Sequence, residues 1–250
     1  LEAAAIGDRA KTFFTGLKPM QIEAKAKVGD NLSIWQAGRV GDLIVTQLRV
    51  SKVMVSPYVV PGSTFLVYEG QGILRTEGNS FTLPVVKNGK LAGLLLRYDS
   101  KNQVTTVLPG VIIEHFLKSM ADGNNEGFPS LGIEIQFTLD EQFREYLHLK
   151  PGQGGLYVSG VSKGGSAEAI GVKKGDIILN INGFKVDSRG DYEDPDFGRL
   201  SMSHIVRGRA FVGEDVVMTV LRDGKEVELK GKLTRMNPKD NIVWPYLFDR

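Results

Sequence analysis

The sequence GVKKGDIILNING spans residues 171–183 and decides the fold of the second half of the chain. Its apolar run, residues 177–181, is too short for an ordinary helix and lies between the turn-forming residues Gly175 and Gly183. A run of this kind between two glycine turns is typical of a short buried strand. The stretch therefore predicts a β-rich domain with tight turns.

A short helix is predicted directly before this strand. Residues 166–170, SAEAI, begin with Ser166, whose hydroxyl is of the type that caps helices. Gly171 can end the helix, because glycine adopts the left-handed backbone conformation at little cost. The sequence thus predicts one to two helical turns packed beside the strand.

A glycine-rich turn leads into another strand in residues 154–161, GGLYVSGV. The doubled glycine frees backbone N–H groups at the strand entrance, and such a turn can hold a carboxylate by several donors at once. A glycine pair chosen only for the shape of the turn explains the same residues. On the residues alone, both interpretations stay open.

The remaining elements of the second half complete this β-rich unit. Asp140 is placed to cap a short helix, and Asp223-Gly224 predicts a type I′ hairpin, since both turn positions need a positive φ. We predict strands at 131–137, 214–221 and 226–233, a helix at 200–206 and a polar, acidic loop at 187–197. The acidic residues of that loop lack the spacing of an EF-hand, so we expect it to be solvated and to hold no metal.

The first half reads as a series of short strands separated by Gly, Asp, Pro and Asn. The predicted strands are 31–36, 43–50, 52–59, 64–68, 82–87, 90–98 and 103–107. Their spacing is typical of a sandwich or barrel, and Asn88-Gly89 predicts a type I′ hairpin. A helix is predicted at 109–120, with an apolar stripe formed by Ile112, Ile113, Phe116, Leu117 and Met120.

Composition excludes several classes of protein. The chain has 250 residues, of which 42% are apolar and 24% charged, values that are ordinary for a globular protein. Lys and Arg number 31 against 29 Asp and Glu, so we expect no nucleic-acid partner. No apolar run reaches the roughly 18 residues of a membrane span. The absence of Cys excludes disulfides and thiolate chemistry, and we expect no cofactor.

The second half resembles a PDZ domain of the bacterial and plant Deg/HtrA proteases. The resemblance is carried by Leu156-Tyr157-Val158, by SAEAI and by the phrase at 171–183. It implies that the domain captures peptides by strand addition. On this resemblance, the carboxylate-binding loop and the peptide-pairing strand contain Gly155, Leu156, Tyr157 and Val158.

The helix predicted near 200–206 would form the other wall of the peptide site. His204 lies on it and is a candidate contact for a ligand hydroxyl. A half-exposed helix residue without a binding role is the alternative interpretation of this His. We include His204 among the peptide-binding candidates.

Residues 27–120 are similar to the second barrel of the Deg/HtrA protease domain. The cues are Lys27-Val28-Gly29-Asp30, Gly38 and the helix after Pro109, while FFTGLKP at 13–19 is similar to the link between barrels in the plant-type branch. The resemblance implies a mainly β chain, with a trypsin-like β-barrel followed by a PDZ domain. The expected divisions are 1–30 as inter-barrel connecting segment, 31–121 as second barrel with its helix, 122–130 as linker, 131–236 as PDZ domain and 237–250 as C-terminal tail.

The family's nucleophile motif, Gly-Asn-Ser-Gly-Gly-Pro, is matched only in part. Gly78, Asn79 and Ser80 match, which makes Ser80 the nucleophile candidate and Gly78 an oxyanion-hole candidate. Phe81 and Thr82 replace the two glycines. Gly permits backbone angles that other residues reach only at a cost of about 1–2 kcal/mol. The motif therefore favours a vestigial site.

A serine nucleophile also needs a His base and an Asp that orients it. In this family both come from the first barrel, and none of the three His residues here, at 115, 148 and 204, stands at a matching place. Ser80 is then either a vestige or a nucleophile whose partners lie in a part of the protein upstream of this chain.

Three hypotheses of function follow from the resemblance. The leading one is a Deg/HtrA-like PDZ protein with an inactive protease site, which binds peptide C-termini or unfolded protein segments. The second is an active serine endopeptidase completed by a missing first barrel, and the third is an oligomeric scaffold subunit. The expected partners are peptides, unfolded proteins and copies of the same chain, as a trimer or a larger assembly. Only the resemblance suggests a compartment, the bacterial envelope or a plant organelle.

Overall fold

The structure is a computed structural model that describes residues 15–16, 18–23, 25–38, 40–58, 63–74, 82–121, 123 and 126–235. In the first half, six strands close into a barrel in the order β1-β2-β3-β6-β5-β4. The strands are β1 (Asn31–Ala37), β2 (Leu43–Pro57), β3 (Thr64–Gln71), β4 (Pro84–Lys87), β5 (Lys90–Asp99) and β6 (Val104–Pro109). Every neighbouring pair in the barrel is antiparallel.

The barrel agrees with the predicted strands apart from one merger. The two strands predicted on either side of Ser51 form the single strand β2, whose pairing with β3 shifts register between Val50 and Lys52. A β-bulge of this kind lets one long strand bend around a closed barrel. The Asn88-Gly89 hairpin between β4 and β5 is confirmed, because both residues have a positive φ, 51° and 76°.

Helix α1 (Gly110–Ser119) follows the barrel within one residue of its predicted bounds, and Pro109 is its N-cap residue rather than part of its first turn. The prediction that the apolar stripe forms the buried face of this helix is wrong. Ile112 is buried, whereas Phe116, Leu117 and Met120 are 43%, 53% and 36% exposed. His115 occupies the buried face in their place. The reason lies in the second half of the chain, which supplies aromatic rings around His115.

The second half is built on a sheet with the order β15-β14-β10-β9-β8, to which β11 adds beside β10. The elements are β7 (Pro129–Ser130), β8 (Ile133–Gln136), α2 (Glu141–Tyr146), β9 (Leu156–Val161), α3 (Ser166–Ile170), β10 (Ile177–Ile181), β11 (Phe184–Lys185), β12 (Asp191–Asp194), β13 (Gly198–Ser201), α4 (Ser203–Arg207), β14 (Asp215–Arg222), β15 (Lys225–Lys232) and β16 (Thr234–Arg235). The strand and hairpin predictions from residue 154 onward are confirmed within two residues. Asp140 caps α2 through a bond from the Phe143 N–H, as predicted.

The capping prediction for Ser166 is wrong. The N-cap of α3 is Gly165, and Ser166 is the first helical residue. Its buried hydroxyl donates to the Ser130 carbonyl at 2.6 Å and accepts the Thr234 N–H at 2.8 Å. Ser166 therefore joins the short pair of strands β7 and β16 to α3. The end of the helix is as predicted, since Gly171 has a φ of 92°.

The acidic segment 187–197 is not a loop throughout, which corrects the prediction. It contains β12, which pairs with β13 in an antiparallel hairpin. Asp194 is buried here, and its burial is compensated because its carboxylate accepts the Tyr192 hydroxyl at 2.6 Å and an Arg209 N–H at 2.6 Å. Asp187 and Asp191 both pair with Arg199, so these acidic residues stabilise the hairpin by internal bonds.

The hairpin also joins the two halves of the chain. Lys25 forms an ion pair of 2.7 Å with Asp196, and the ring of Phe197 lies 6.5 Å from that of Tyr68 on β3. Burial raises the pKa of Tyr68 to about 12. The Tyr68 hydroxyl oxygen accepts a bond from the Ala26 N–H, which lowers the pKa by a smaller amount. The first and second halves of the chain are thus in direct contact.

Candidate functional site

The sheet of the second half has two edge strands, β15 and β8, and the candidate site lies at the β8 edge. Strand β9 pairs with β8 on one side and with β10 on the other. Strand β8 pairs only with β9 among the described residues. An edge strand presents unpaired N–H and C=O groups to any chain that can lie beside it. The geometry of the sheet therefore makes β8 a place where a further strand can be added, and the groove described next distinguishes this edge from β15.

Beside this edge lies a groove of about 510 Å³, which we call the β8–α4 groove. Alternate residues of β8 and its continuation face it, as the two-residue period of a strand requires. These are Ile133, Ile135 and Phe137. On the opposite wall, α4 contributes Ser203, Val206 and Arg207.

The floor of the groove is apolar. Leu131, Met202 and Val206 are all less than 8% exposed, whereas Ile135 and Phe137, which line the same groove, are 37% and 57% exposed. Apolar side chains of a ligand would cover these exposed groups and leave water, which is favourable by about 25 cal/mol for each Å² buried.

The loop before β8 closes one end of the groove. The Leu131 and Gly132 carbonyls accept bonds of 2.8 Å from the N–H groups of Ala167 and Ser162. Gly132 has a φ of 68°, and a Cβ at this position would meet Ser162 Cβ at 3.4 Å. Hydrogen bonds from α3 and from the turn before α3 thus fix the conformation of this loop.

Two arginines and one aspartate bring charge to the groove lining. Arg207 donates from Nη1 to Thr64 Oγ1 on β3 at 3.2 Å, so its position depends on the barrel. Burial lowers the pKa of this guanidinium. Asp191 is compensated by Arg199, whose Nε lies 3.1 Å from its carboxylate. The remaining arginine, Arg189, is exposed at the mouth of the groove.

The structure places the residues predicted to pair with a peptide inside the sheet. Leu156 and Val158 are completely buried, and β9 is paired along both edges. Gly155 has a φ of 123°, and a Cβ there would lie 2.7 Å from Ile177 Cγ2 and 3.0 Å from the Ile178 carbonyl. This glycine is therefore required by packing. The geometry does not agree with a peptide-pairing role for Gly155, Leu156, Tyr157 and Val158.

His204 also points away from the β8–α4 groove. It is 3% exposed and does not line the groove, although its helix does. Its ring packs edge-on against Phe197, with centroids 6.1 Å apart. Burial lowers the pKa of His204 to about 4. The residue thus belongs to the contact between the β12–β13 hairpin and α4.

Sequence reasoning missed the wall formed by residues 131–137, although it predicted the strand. The signal is the alternation of Ile133, Ile135 and Phe137 after the turn at Gly132. Alternation shows which residues share a face, but it does not show which strand lies at the edge of the sheet. That position follows only from the order of strands along the sheet.

The nucleophile and oxyanion candidates, Ser80 and Gly78, lie outside the described residues. The next residue on the chain that the structure describes, Thr82, has a φ of 60°, and its N–H donates to the Leu95 carbonyl at 3.0 Å. A β-branched residue is strained at this φ, where glycine is not. Thr82 thus has a backbone angle suited to glycine, at a position where the family motif has a glycine.

None of the three His residues lies in the barrel, where a catalytic base for Ser80 would be needed. His115 is buried under Phe128 and Phe211, and His204 belongs to α4. His148 follows α2 in a left-handed conformation, with a φ of 53°. Among the described residues there is no group of three or more His, Cys, Asp or Glu that could hold a metal ion, and no helix in those ranges is long and apolar enough to cross a membrane.

Together the closed barrel, its C-terminal helix and the six-stranded sheet with an open groove define the architecture of a protease-type barrel followed by a PDZ domain. Comparison with known families agrees, because residues 125–193 match the model of the PDZ domain. Two curated relatives are a serine protease Do-like HtrA of Lactobacillus helveticus and a probable periplasmic serine endoprotease DegP-like of Bartonella henselae. Each is 32% identical, over 108 and 170 residues respectively.

These comparisons support a relationship with the HtrA/Deg-type serine proteases that carry a PDZ domain. The matches cover 42% and 66% of this chain but 24% and 31% of the two relatives, so the chain spans less than a third of their length.

Solved structures agree on the fold. The HtrA-type protease AlgW with a decapeptide has a TM-score of 0.64 at 21% identity, over 89% of this chain and 66% of that one. A structure of AlgW with a tripeptide has the same TM-score at 20% identity, over 90% of this chain and 72% of that one.

Proposed function

We propose that this chain captures the carboxyl-terminal segments of other polypeptides in the β8–α4 groove. The observation that carries the proposal is the open edge of β8 beside an apolar groove. A peptide can add there as a further strand, with main-chain hydrogen bonds supplying affinity and alternate side chains supplying specificity.

The direction of the peptide follows from the closed end of the groove. A terminal carboxylate needs hydrogen-bond donors, and we place it at the loop before β8, where the Gly132 N–H has only a long bond of 3.3 Å to Ser130 Oγ and where Arg207 also lines the groove. A peptide with its carboxylate at this end runs antiparallel to β8. Its last side chain then lies over Leu131 and Val206, which are both buried and apolar.

The comparisons support this role. The PDZ domain is a peptide-recognition module that works by strand addition. The AlgW structures that resemble this chain were determined with a decapeptide and with a tripeptide. Both facts concern other proteins, and the groove of this chain supplies the independent reason for the proposal.

Fluorescence anisotropy with labelled peptides of seven residues tests the proposal. Each peptide ends in an apolar residue and is prepared with a free carboxylate and as the C-terminal amide. We expect the free acid to bind and the amide to bind at least tenfold more weakly. Ile135→Asp, which places a charge on the exposed groove wall, should abolish binding.

The matched control is Ile73→Asp, at a side chain of the barrel half that is 68% exposed and outside the groove lining. It should bind as the unchanged protein does. Equal binding of acid and amide, or an equal effect of both variants, would contradict capture of chain termini in this groove.

We also propose that the protease site of this chain is inactive. The support is the replacement of two glycines of the motif by Phe81 and Thr82, and the strained φ of 60° at Thr82. Labelling with a fluorophosphonate, read by intact mass, tests this, with Ser80→Ala and an active HtrA-type protease as controls. An adduct that depends on Ser80 would instead favour the active endopeptidase.

The domain division and the assembly are proposals of the same kind. We place the boundary between barrel and PDZ domain in residues 122–130, and we propose a trimer or larger assembly on the family resemblance. Analytical ultracentrifugation tests the assembly, and a concentration-independent monomer would contradict both it and the scaffold alternative.

A further inference from the structure

The turn that carries Arg189 is fixed at the far end of β8. The Thr138 N–H donates to the Ser188 carbonyl at 3.0 Å, which ties residues 187–190 to the chain just after Phe137. Arg144 strengthens this tie, because its Nη1 donates both to the Thr138 carbonyl and to Ser188 Oγ at 3.0 Å. The turn is thus held at a defined place relative to the groove.

The charge of Arg189 is uncompensated in the groove. Its guanidinium makes no ion pair or hydrogen bond with any residue that the structure describes, and the side chain is exposed. The acidic neighbour in the groove, Asp191, is already paired with Arg199. An exposed arginine at the mouth of an apolar groove attracts an acidic side chain of whatever occupies the groove.

Strand geometry gives the position of that acidic side chain. Ile133 lies at the closed end of the groove, and Phe137 lies next to the turn of Arg189. Four residues of antiparallel strand span about 14 Å, since each rises about 3.4 Å. In a peptide that runs antiparallel to β8, the residue four positions before the C-terminal one therefore lies beside Phe137 and Arg189.

We infer that the groove selects peptides with a free carboxylate, an apolar C-terminal residue and an acidic side chain four positions earlier, and that Arg189 binds this acidic side chain. The inference rests on the proposed function, because it names the class of peptide taken by the same groove. Arg189 belongs to the segment between β11 and β12, which sequence reasoning regarded only as a solvated loop.

The test compares three peptides of seven residues with the same apolar C-terminal residue and a free carboxylate. They carry Glu, Gln or Lys four positions before the last residue. Anisotropy is measured with the unchanged chain and with Arg189→Gln and Arg189→Glu. Arg97→Gln is the matched control, since Arg97 is an exposed arginine of the barrel half that lies outside the groove.

We expect the Glu peptide to bind about two- to fivefold more tightly than the Gln peptide, as exposed ion pairs do. The preference should disappear in Arg189→Gln, turn toward the Lys peptide in Arg189→Glu and remain in Arg97→Gln. It should also shrink as salt is raised. Peptides that bind in a carboxylate-dependent way, with equal affinity for Glu and Gln, would overturn this inference alone. If none of the peptides binds, both this inference and the proposed function are overturned.

Discussion

The imidazole of His115 on α1 stacks on the ring of Phe211, with centroids 4.0 Å apart and planes inclined by 9°. Phe128 covers the other face of the imidazole at 4.9 Å. His115 is 5% exposed, and its Nε2 has no hydrogen-bond partner among the described residues. The barrel helix and the second half of the chain are thus joined through one buried, uncharged histidine.

This stack predicts a pH dependence of stability. Burial lowers the pKa of His115, and a bond to the Gly208 carbonyl and the charge of Glu214 oppose the shift only in part, while Lys118 adds to it. The pKa of His204 also falls, to about 4, mainly through burial. The unfolded chain therefore binds more protons than the folded chain below about pH 6.5.

Stability is accordingly expected to fall as the pH drops from about 6.5 to about 4, and this contribution is constant above that window. His115→Phe keeps an aromatic ring in the stack but removes the titration. Thermal unfolding of both chains at pH 7.5 and pH 5 should give a smaller loss of Tm in the variant. An identical loss would show that His115 does not contribute to the dependence.

Leu156→Ala should destabilise the fold strongly, because Leu156 is a completely buried residue of the hydrophobic core. The cost of such a truncation is about 2–5 kcal/mol. Ile135→Ala, on the exposed groove wall, should cost less than about 1 kcal/mol. Denaturant unfolding measures both. A neutral Leu156→Ala that selectively loses peptide binding would restore β9 as the peptide-pairing strand.

Asp176 explains why the turn before β10 carries an acidic residue. Its buried carboxylate accepts two bonds from Arg222, at 2.7 and 2.8 Å, and the Lys173 N–H at 2.8 Å. Arg222→Met leaves this carboxylate buried without its counter-charge, which costs about 3–5 kcal/mol. Urea unfolding should show that loss, whereas Arg97→Met, at an exposed side chain, should stay within about 0.5 kcal/mol.

Thr82→Gly should stabilise the chain. Thr82 holds a φ of 60°, and glycine relieves a strain of about 1–2 kcal/mol there. The greater freedom of glycine in the unfolded chain offsets part of the gain, so we expect a net effect of about 0.5–1 kcal/mol. A destabilised variant in equilibrium unfolding would mean that the Thr82 side chain makes compensating contacts.

Much of the fold could be predicted from local patterns. The Asn88-Gly89 and Asp223-Gly224 turns specify hairpins because few other residue pairs accept two positive φ angles. The short apolar runs specify strands, and the phrase at 171–183 specified turn, strand and turn. These features depend on neighbouring residues, so the sequence alone determined the mainly β class and the resemblance to a barrel followed by a PDZ domain.

The candidate site depended on relationships between distant residues. Residues 131–137 and residues 156–161 both read as strands, and only the order of the sheet shows that β8 is at the edge and β9 inside it. The same holds for His204, which the packing of Phe197 turns away from the groove, and for Arg189, which Thr138 and Arg144 hold at its mouth. Local residue patterns therefore determined the elements and their turns, whereas edges, buried faces and shared grooves arose only when the elements packed, because burial is a property of contacts between segments far apart in the chain.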